Sequence, residues 1–141
     1  MPTREQLEKL IENKDFRRTF VGDYVQEMIA TQIRALREHR GLSQKELGQA
    51  SDGMKQGQVS RLEDHDYSGT SVNSLIRMAQ AFDVSLIVRL APFSEFLGWI
   101  ENQSPDTLLP KSFAEEQGIS HWSDIWDFQT PYDPTCGNNP K

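Results

Sequence analysis

Five residues close together, Lys55, Gln56, Gln58, Ser60 and Arg61, carry the chemistry that stands out in this chain. Val59 and Leu62 interrupt them at helical spacing, so Lys55, Gln56, Gln58 and Arg61 fall on the face of a helix opposite an apolar one. A carboxamide can donate to and accept from an adenine edge, and a guanidinium can offer two donors to guanine. The predicted chemistry is therefore recognition of base edges in a major groove, with Gln56 and Arg61 as readers. Ser60 adds a further contact, although a helical serine more often bonds its own backbone. Lys55, Gln58, Arg34 and Arg37 supply groups for phosphate oxygens, with Arg40 continuing the spacing of three that starts at Arg34. The plain alternative for each is a solvated helix face. Nothing comparable suggests catalysis: no paired carboxylates, no nucleophile with its base and no phosphate-cradling glycine loop accompany these residues, so an enzyme is not expected. His39, His65, His121 and Cys136 match no zinc spacing, and neither a metal nor a cofactor is expected.

The elements that must position these groups can be read outward from them. Ser43 with Glu46 three residues later forms a capping-box pattern and starts a helix through Leu47. A sharp turn around Gly53 leads to the helix that begins near Lys55, and together they read as a helix-turn-helix. Upstream, Thr3 and Gln6 repeat the capping-box pattern ahead of Leu7, Leu10 and Ile11, predicting a short helix that ends near Asn13. From Asp15 to Arg40, Phe16, Phe20, Tyr24 and Met28 recur at steps of four, followed by Ile29, Ile33 and Leu36, up to a stop at Gly41. Gly22 weakens this long helix and marks a place where it could break. Its aromatic half needs cover, either on the chain's own core or, through Phe20 and Tyr24, in a dimer contact.

Downstream, Thr70 or Ser71 caps a helix through Leu75, Met78, Ala79 and Phe82. Asp83 to Leu90 then alternates, with Val84, Leu86, Val88 and Leu90 on one side, and predicts a strand. A lone strand leaves unpaired amides, so its partner is either the same strand of a second subunit, through Leu86, Val88 and Leu90, or an irregular segment of the tail. After Pro92, a capped short helix runs from Ser94 with Phe96, Leu97, Trp99 and Ile100 to bury. Pro105 and Pro110 punctuate a linker, a turn of helix follows at Ser112 to Gln117, and the last ten residues read as mobile.

At 141 residues and 36% hydrophobic content the chain fits one compact unit with appendages. Its net charge of −6 argues at first against a nucleic-acid partner, but the distribution is uneven. Thr31 to Leu90 carries eight basic against seven acidic residues, whereas Ala91 to Lys141 carries two against eight. The charged N-terminus lacks an apolar run, so no signal peptide or membrane span is expected and the predicted location is cytoplasmic. Within the acidic tail, Trp122 to Phe128 interleaves aromatics with Asp124 and Asp127. It can dock on the domain as a satellite, or bind a basic protein partner, or compete with DNA for the reading face.

Ile33-Arg34-Ala35-Leu36-Arg37-Glu38, Leu42-Ser43-Gln44, Leu47, Val59-Ser60-Arg61-Leu62-Glu63 and the helix from Leu75 to Phe82 together resemble the Cro/C1-type helix-turn-helix family, also called the XRE family. The similarity extends from about Ile29 to Val84. It implies a five-helix bundle that binds double-stranded operator DNA, commonly as a homodimer on a palindrome, with Gln44 holding a phosphate or bracing the reading helix. Two departures stand out: Ser51-Asp52 contains an insertion in the turn, and Gly57 stands where many relatives carry a contacting side chain.

The expected architecture is thus mainly α. A helical extension (1–28) precedes the helix-turn-helix bundle (29–83); a dimerisation element of one short strand and a helix (84–101) and an acidic, partly irregular aromatic tail (102–141) follow. The expected function is a dimeric transcriptional repressor. The competing expectation is an antitoxin-like interaction protein that neutralises a partner through its flanking segments and regulates its own promoter.

Overall fold

The computed structural model describes residues 2–116, which form seven helices and no strand. Helix α1 (Arg4–Glu12) starts where Thr3 caps it: Thr3 Oγ1 accepts from the Gln6 amide at 3.2 Å while the Thr3 amide donates to Gln6 Oε1 at 2.8 Å. Asn13 ends α1 and caps α2 (Lys14–His39) through a bond from the Phe16 amide. Arg17 ties the two together by donating to the carbonyls of Leu10 and Ile11, groups that the end of α1 leaves without helical partners. Helix α2 runs unbroken for 26 residues and passes straight through Gly22.

Helices α3 (Gln44–Ala50), α4 (Gln56–Leu62) and α5 (Val72–Phe82) close around the second half of α2. The core gathers Ile33 and Leu36 from α2, Leu47 from α3, Met54 from the turn, Val59 and Leu62 from α4, and Met78 and Phe82 from α5. Leu47 and Val59 are fully buried, as their helical spacing predicts. Each such side chain contributes about 1.5–3 kcal/mol by leaving water. Arg40 lies with its guanidinium 5.5 Å from the centre of the Phe82 ring, a cation–π contact that closes the core at the end of α2.

Three departures from expectation concern the flanks. Residues 84–90 form no strand; they run as irregular backbone, with Ile87, Val88 and Leu90 between 62% and 100% exposed. The alternation of the sequence is real, but a strand exists only by pairing, and the described residues supply no second one. The bundle core is built by α2–α5, four helices where the family resemblance implies five. Helix α6 (Phe93–Glu101) packs instead on the aromatic half of α2, where Tyr24 meets Phe96 and Trp99 edge-on at centroid distances of 5.7 and 6.0 Å. This covers aromatic surface that would otherwise face water, and burial raises the Tyr24 hydroxyl above its ordinary value, with the charge of Glu27 adding to the effect. The Pro105 region, expected as a linker, holds the short helix α7 (Pro105–Leu108) beside α2, where Gln32 donates to the Thr107 carbonyl.

Beyond α7 the chain returns to the bundle. Leu109 packs against the core, Ser112 is buried, and the Phe113 amide donates to the Asp83 carbonyl at 2.8 Å. Ser112 and Glu115 bond each other reciprocally and the Glu116 amide donates to the Ser112 carbonyl at 3.1 Å, a single turn over the described part of the expected 112–117. The Trp122 to Phe128 segment and the rest of the acidic tail lie outside the described residues.

Candidate nucleic-acid interface

The reading unit is held together by backbone proximity as much as by side chains. Ser43 caps α3 with the predicted box: its Oγ accepts from the Glu46 amide at 3.1 Å, and its own amide donates to Glu46 Oε1. At the far end of α3, Gly48 faces the turn so closely that an added Cβ would sit 2.1 Å from the Met54 carbonyl oxygen. The turn itself bends through Asp52 and Gly53, both with left-handed φ angles, of 60° and 73°. Asp and Gly are the residue types that tolerate this conformation, so the extra residue is accommodated in the turn. Arg77 of α5 grips it from behind, donating to the carbonyls of Ser51 and Asp52.

Helix α4 carries Val59 and Leu62 inward and leaves Lys55, Gln56, Gln58, Ser60 and Arg61 exposed. These exposed residues are not equivalent. Gln56 Nε2 donates to Gln44 Oε1 at 2.9 Å, which ties the first turn of α4 to the first turn of α3. Gln44 Nε2 in turn donates to Glu63 Oε2 at 3.1 Å. Glu63 also accepts from Arg37 Nε at 2.5 Å and Nη2 at 3.1 Å, a two-pronged ion pair. Arg37 spends its remaining nitrogen on the Leu42 carbonyl at 2.9 Å. The hydrogen bond to Glu63 raises the Arg37 guanidinium above its ordinary value; burial opposes this, and the charges of Glu63 and Glu38 add to the rise. The side chains of Glu63 and Arg37 are only 5% and 14% exposed, so this pair sits under the surface that α3 and α4 present.

Most predicted site residues therefore meet. Arg34, Arg37, Gln44, Ser60 and Arg61 line one shallow cleft above Glu63. Within it Arg37 is engaged by the protein itself, and Arg34 pairs with Glu38 at 3.1 Å while staying 61% exposed. The Arg61 side chain has no hydrogen-bond or ion-pair partner among the described residues. Gln58 is turned back: its Oε1 accepts from the Lys55 amide at 3.1 Å, closing the start of α4. Lys55 is exposed at the start of α4, and Lys45 lines a second depression shared with Gln44 and Gln56. The residues expected at a dimer contact lie elsewhere, Phe20 and Tyr24 on the aromatic half of α2 and Leu86, Val88 and Leu90 on the uncovered 84–90 segment.

Sequence reasoning did not find the grip of Arg77 on the turn or the stacking of Arg40 on Phe82. An arginine next to apolar helix positions carries no sign of which carbonyls or rings it will reach, and spacing alone could not have identified either contact.

The arrangement presents two amides, two guanidinium groups and two ammonium groups around one protruding helix, on a frame fixed from beneath. The helix-turn-helix family model matches residues 33–88, which takes in the last seven residues of α2, all of α3, α4 and α5, and most of the 84–90 segment. No curated protein and no solved structure matches the chain. The match makes residues 33–88 similar to helix-turn-helix DNA-binding domains, and it supports the resemblance to Cro/C1-type transcription regulators.

Proposed function

We propose that this protein is a homodimeric repressor that reads a palindromic operator through α4. In this reading Gln56 and Arg61 contact base edges, Lys55, Arg34 and Gln44 hold phosphates, and Ser60 adds a contact at the cleft. Arg37 and Gln58 act from behind, the first by fixing Glu63 and through it Gln44, the second by closing the start of α4. The observation that carries the reading is the Gln56–Gln44 bond, because it sets the direction of a candidate base-reading amide before DNA arrives. A preset side chain loses less freedom on binding, and the saving appears as affinity.

The dimer rests on the 84–90 segment. Its exposed apolar residues Ile87, Val88 and Leu90 would be covered if two copies paired there, and identical segments are self-complementary about a two-fold axis. Two reading helices would then address the two halves of one site. Repression follows from occupancy of a promoter.

Selection of bound sequences from random duplexes tests the core of this proposal. Enrichment of a palindrome is expected, and no enrichment would remove the repressor reading. On the winning duplex, Arg61→Ala should cost about 1–3 kcal/mol if its contact is bidentate. An equal loss on all duplexes would make Arg61 a phosphate contact. The second reading, an antitoxin-like protein, is favoured by the exposure of Phe93 and Trp99 on α6 next to the same segment, a surface that a partner chain would cover. Co-purification of a small basic protein in fixed ratio distinguishes it.

A further inference from the structure

Gly57 occupies the second position of α4 and is exposed. A Cβ built there meets nothing within 4 Å, and its φ is not left-handed. Neither the fold nor the backbone conformation therefore calls for glycine. Glycine disfavours a helix relative to alanine, so the position gives up stability for no gain inside the protein. Its neighbours sharpen the point. The Gln56 side chain is drawn to Gln44 and the Gln58 side chain is folded back onto Lys55, which leaves bare backbone between two anchored amides. At helical spacing Gly57 shares its face with Ser60 and Arg61, the face directed at DNA in the preceding proposal.

We propose that Gly57 is a specificity-determining position: its bare Cα is the point at which α4 seats on the major-groove floor, against the C5-methyl group of a thymine. This rests on the DNA-reading proposal above. The thymine methyl is the apolar group that projects from the groove floor, and it fills the volume that a side chain at position 57 would take. Seating at this depth brings the Gln56 amide and the Arg61 guanidinium to their bases together. A Cβ would hold the helix away and weaken both contacts at once.

The test uses the full-length protein and the duplex it selects from a random pool. Gly57→Ala should melt no lower than the unsubstituted protein and should bind that duplex about tenfold more weakly, as expected for loss of one good base contact. It should bind an unrelated duplex unchanged. Replacing the thymines of the half-site by uracil, which removes the methyl groups, should weaken the unsubstituted protein and restore part of the affinity of Gly57→Ala. Equal affinity of the two proteins for the selected duplex would overturn the proposal, as would an equal loss on both duplexes or a uracil effect the same for both proteins. A lowered melting temperature would give the glycine a structural role and overturn it too. If the unsubstituted protein selects no sequence, the DNA-reading proposal fails and takes this one with it, whereas selection followed by indifference to Gly57→Ala removes this one alone.

Discussion

Glu63 accepts from Arg37 twice and from Gln44 once, and is itself buried, so it joins the stability of the bundle to the geometry of its reading face. Removing it leaves a mostly covered guanidinium without its counter-charge. Glu63→Ala should lower unfolding free energy by about 3 kcal/mol, near the low end for breaking a buried ion pair because Arg37 keeps its bond to the Leu42 carbonyl. Urea unfolding checks this; a loss under about 1 kcal/mol would reduce the pair to the standing of a surface bridge. The sequence reveals part of this network. The residue types at 56 and 61 suggest an outward reading face. The commitment of Arg37 and Gln58 to internal partners was not legible, because a long side chain on a helix surface reaches donors and acceptors fixed only by the three-dimensional fold. The same limit hid the contacts of Arg40 and Arg77.

Elements whose signals are local were read closely. The capping boxes at Thr3 and Ser43 form as written, since each involves residues three apart, and the apolar steps through α2 give a helix of nearly the expected bounds. Gly22 lies inside α2 with nothing within 4 Å of an added Cβ, so Gly22→Ala should stabilise the fold by about 0.5–1 kcal/mol in a thermal melt. The 84–90 segment shows the opposite case. Its alternation predicts a strand, but strand formation depends on a pairing partner that local pattern does not encode. A proline there removes an amide donor and blocks a ladder, so Val88→Pro should shift sedimentation from dimer to monomer at equal concentration. An unchanged distribution would mean that the copies associate by another surface. The Ser112–Glu115 turn gives a smaller prediction. The hydrogen bonds from Ser112, backbone first and hydroxyl second, hold the Glu115 carboxyl below its ordinary value, with the charges of Arg40 and His39 helping against burial. A lowered carboxylate stabilises the folded form above its ordinary titration range, and that contribution is lost as pH falls through the lowered value. Exchange protection of the Ser112 amide should therefore be flat through neutrality and fall only in acid below the usual carboxylate range.

For the molecule as a whole, charge sets how binding should respond to salt. The acidic excess lies after residue 90 and the bundle region is nearly neutral, so few cations are available for phosphates. Arg34, Lys45, Lys55 and Arg61 are the exposed ones around the reading face. Each phosphate neutralised adds about −0.9 to the slope of log affinity against log salt, so Arg34, Lys45 and Lys55, with Arg61 on a base, give about −2.7 for one protomer and about −5.4 for a dimer. A slope near the smaller value on a palindrome would mean that a single copy binds. If α4 reads DNA as proposed, the Gln56–Gln44 bond also bears on attempts to give this protein a new target. The outer face of α4 is not an interchangeable cartridge, because the aim of its first amide is written partly at position 44 on a different helix. Grafts that exchange residues 55–61 alone would leave that amide pointed by a mismatched neighbour, so libraries for altered recognition gain from varying positions 44 and 56 as a linked pair.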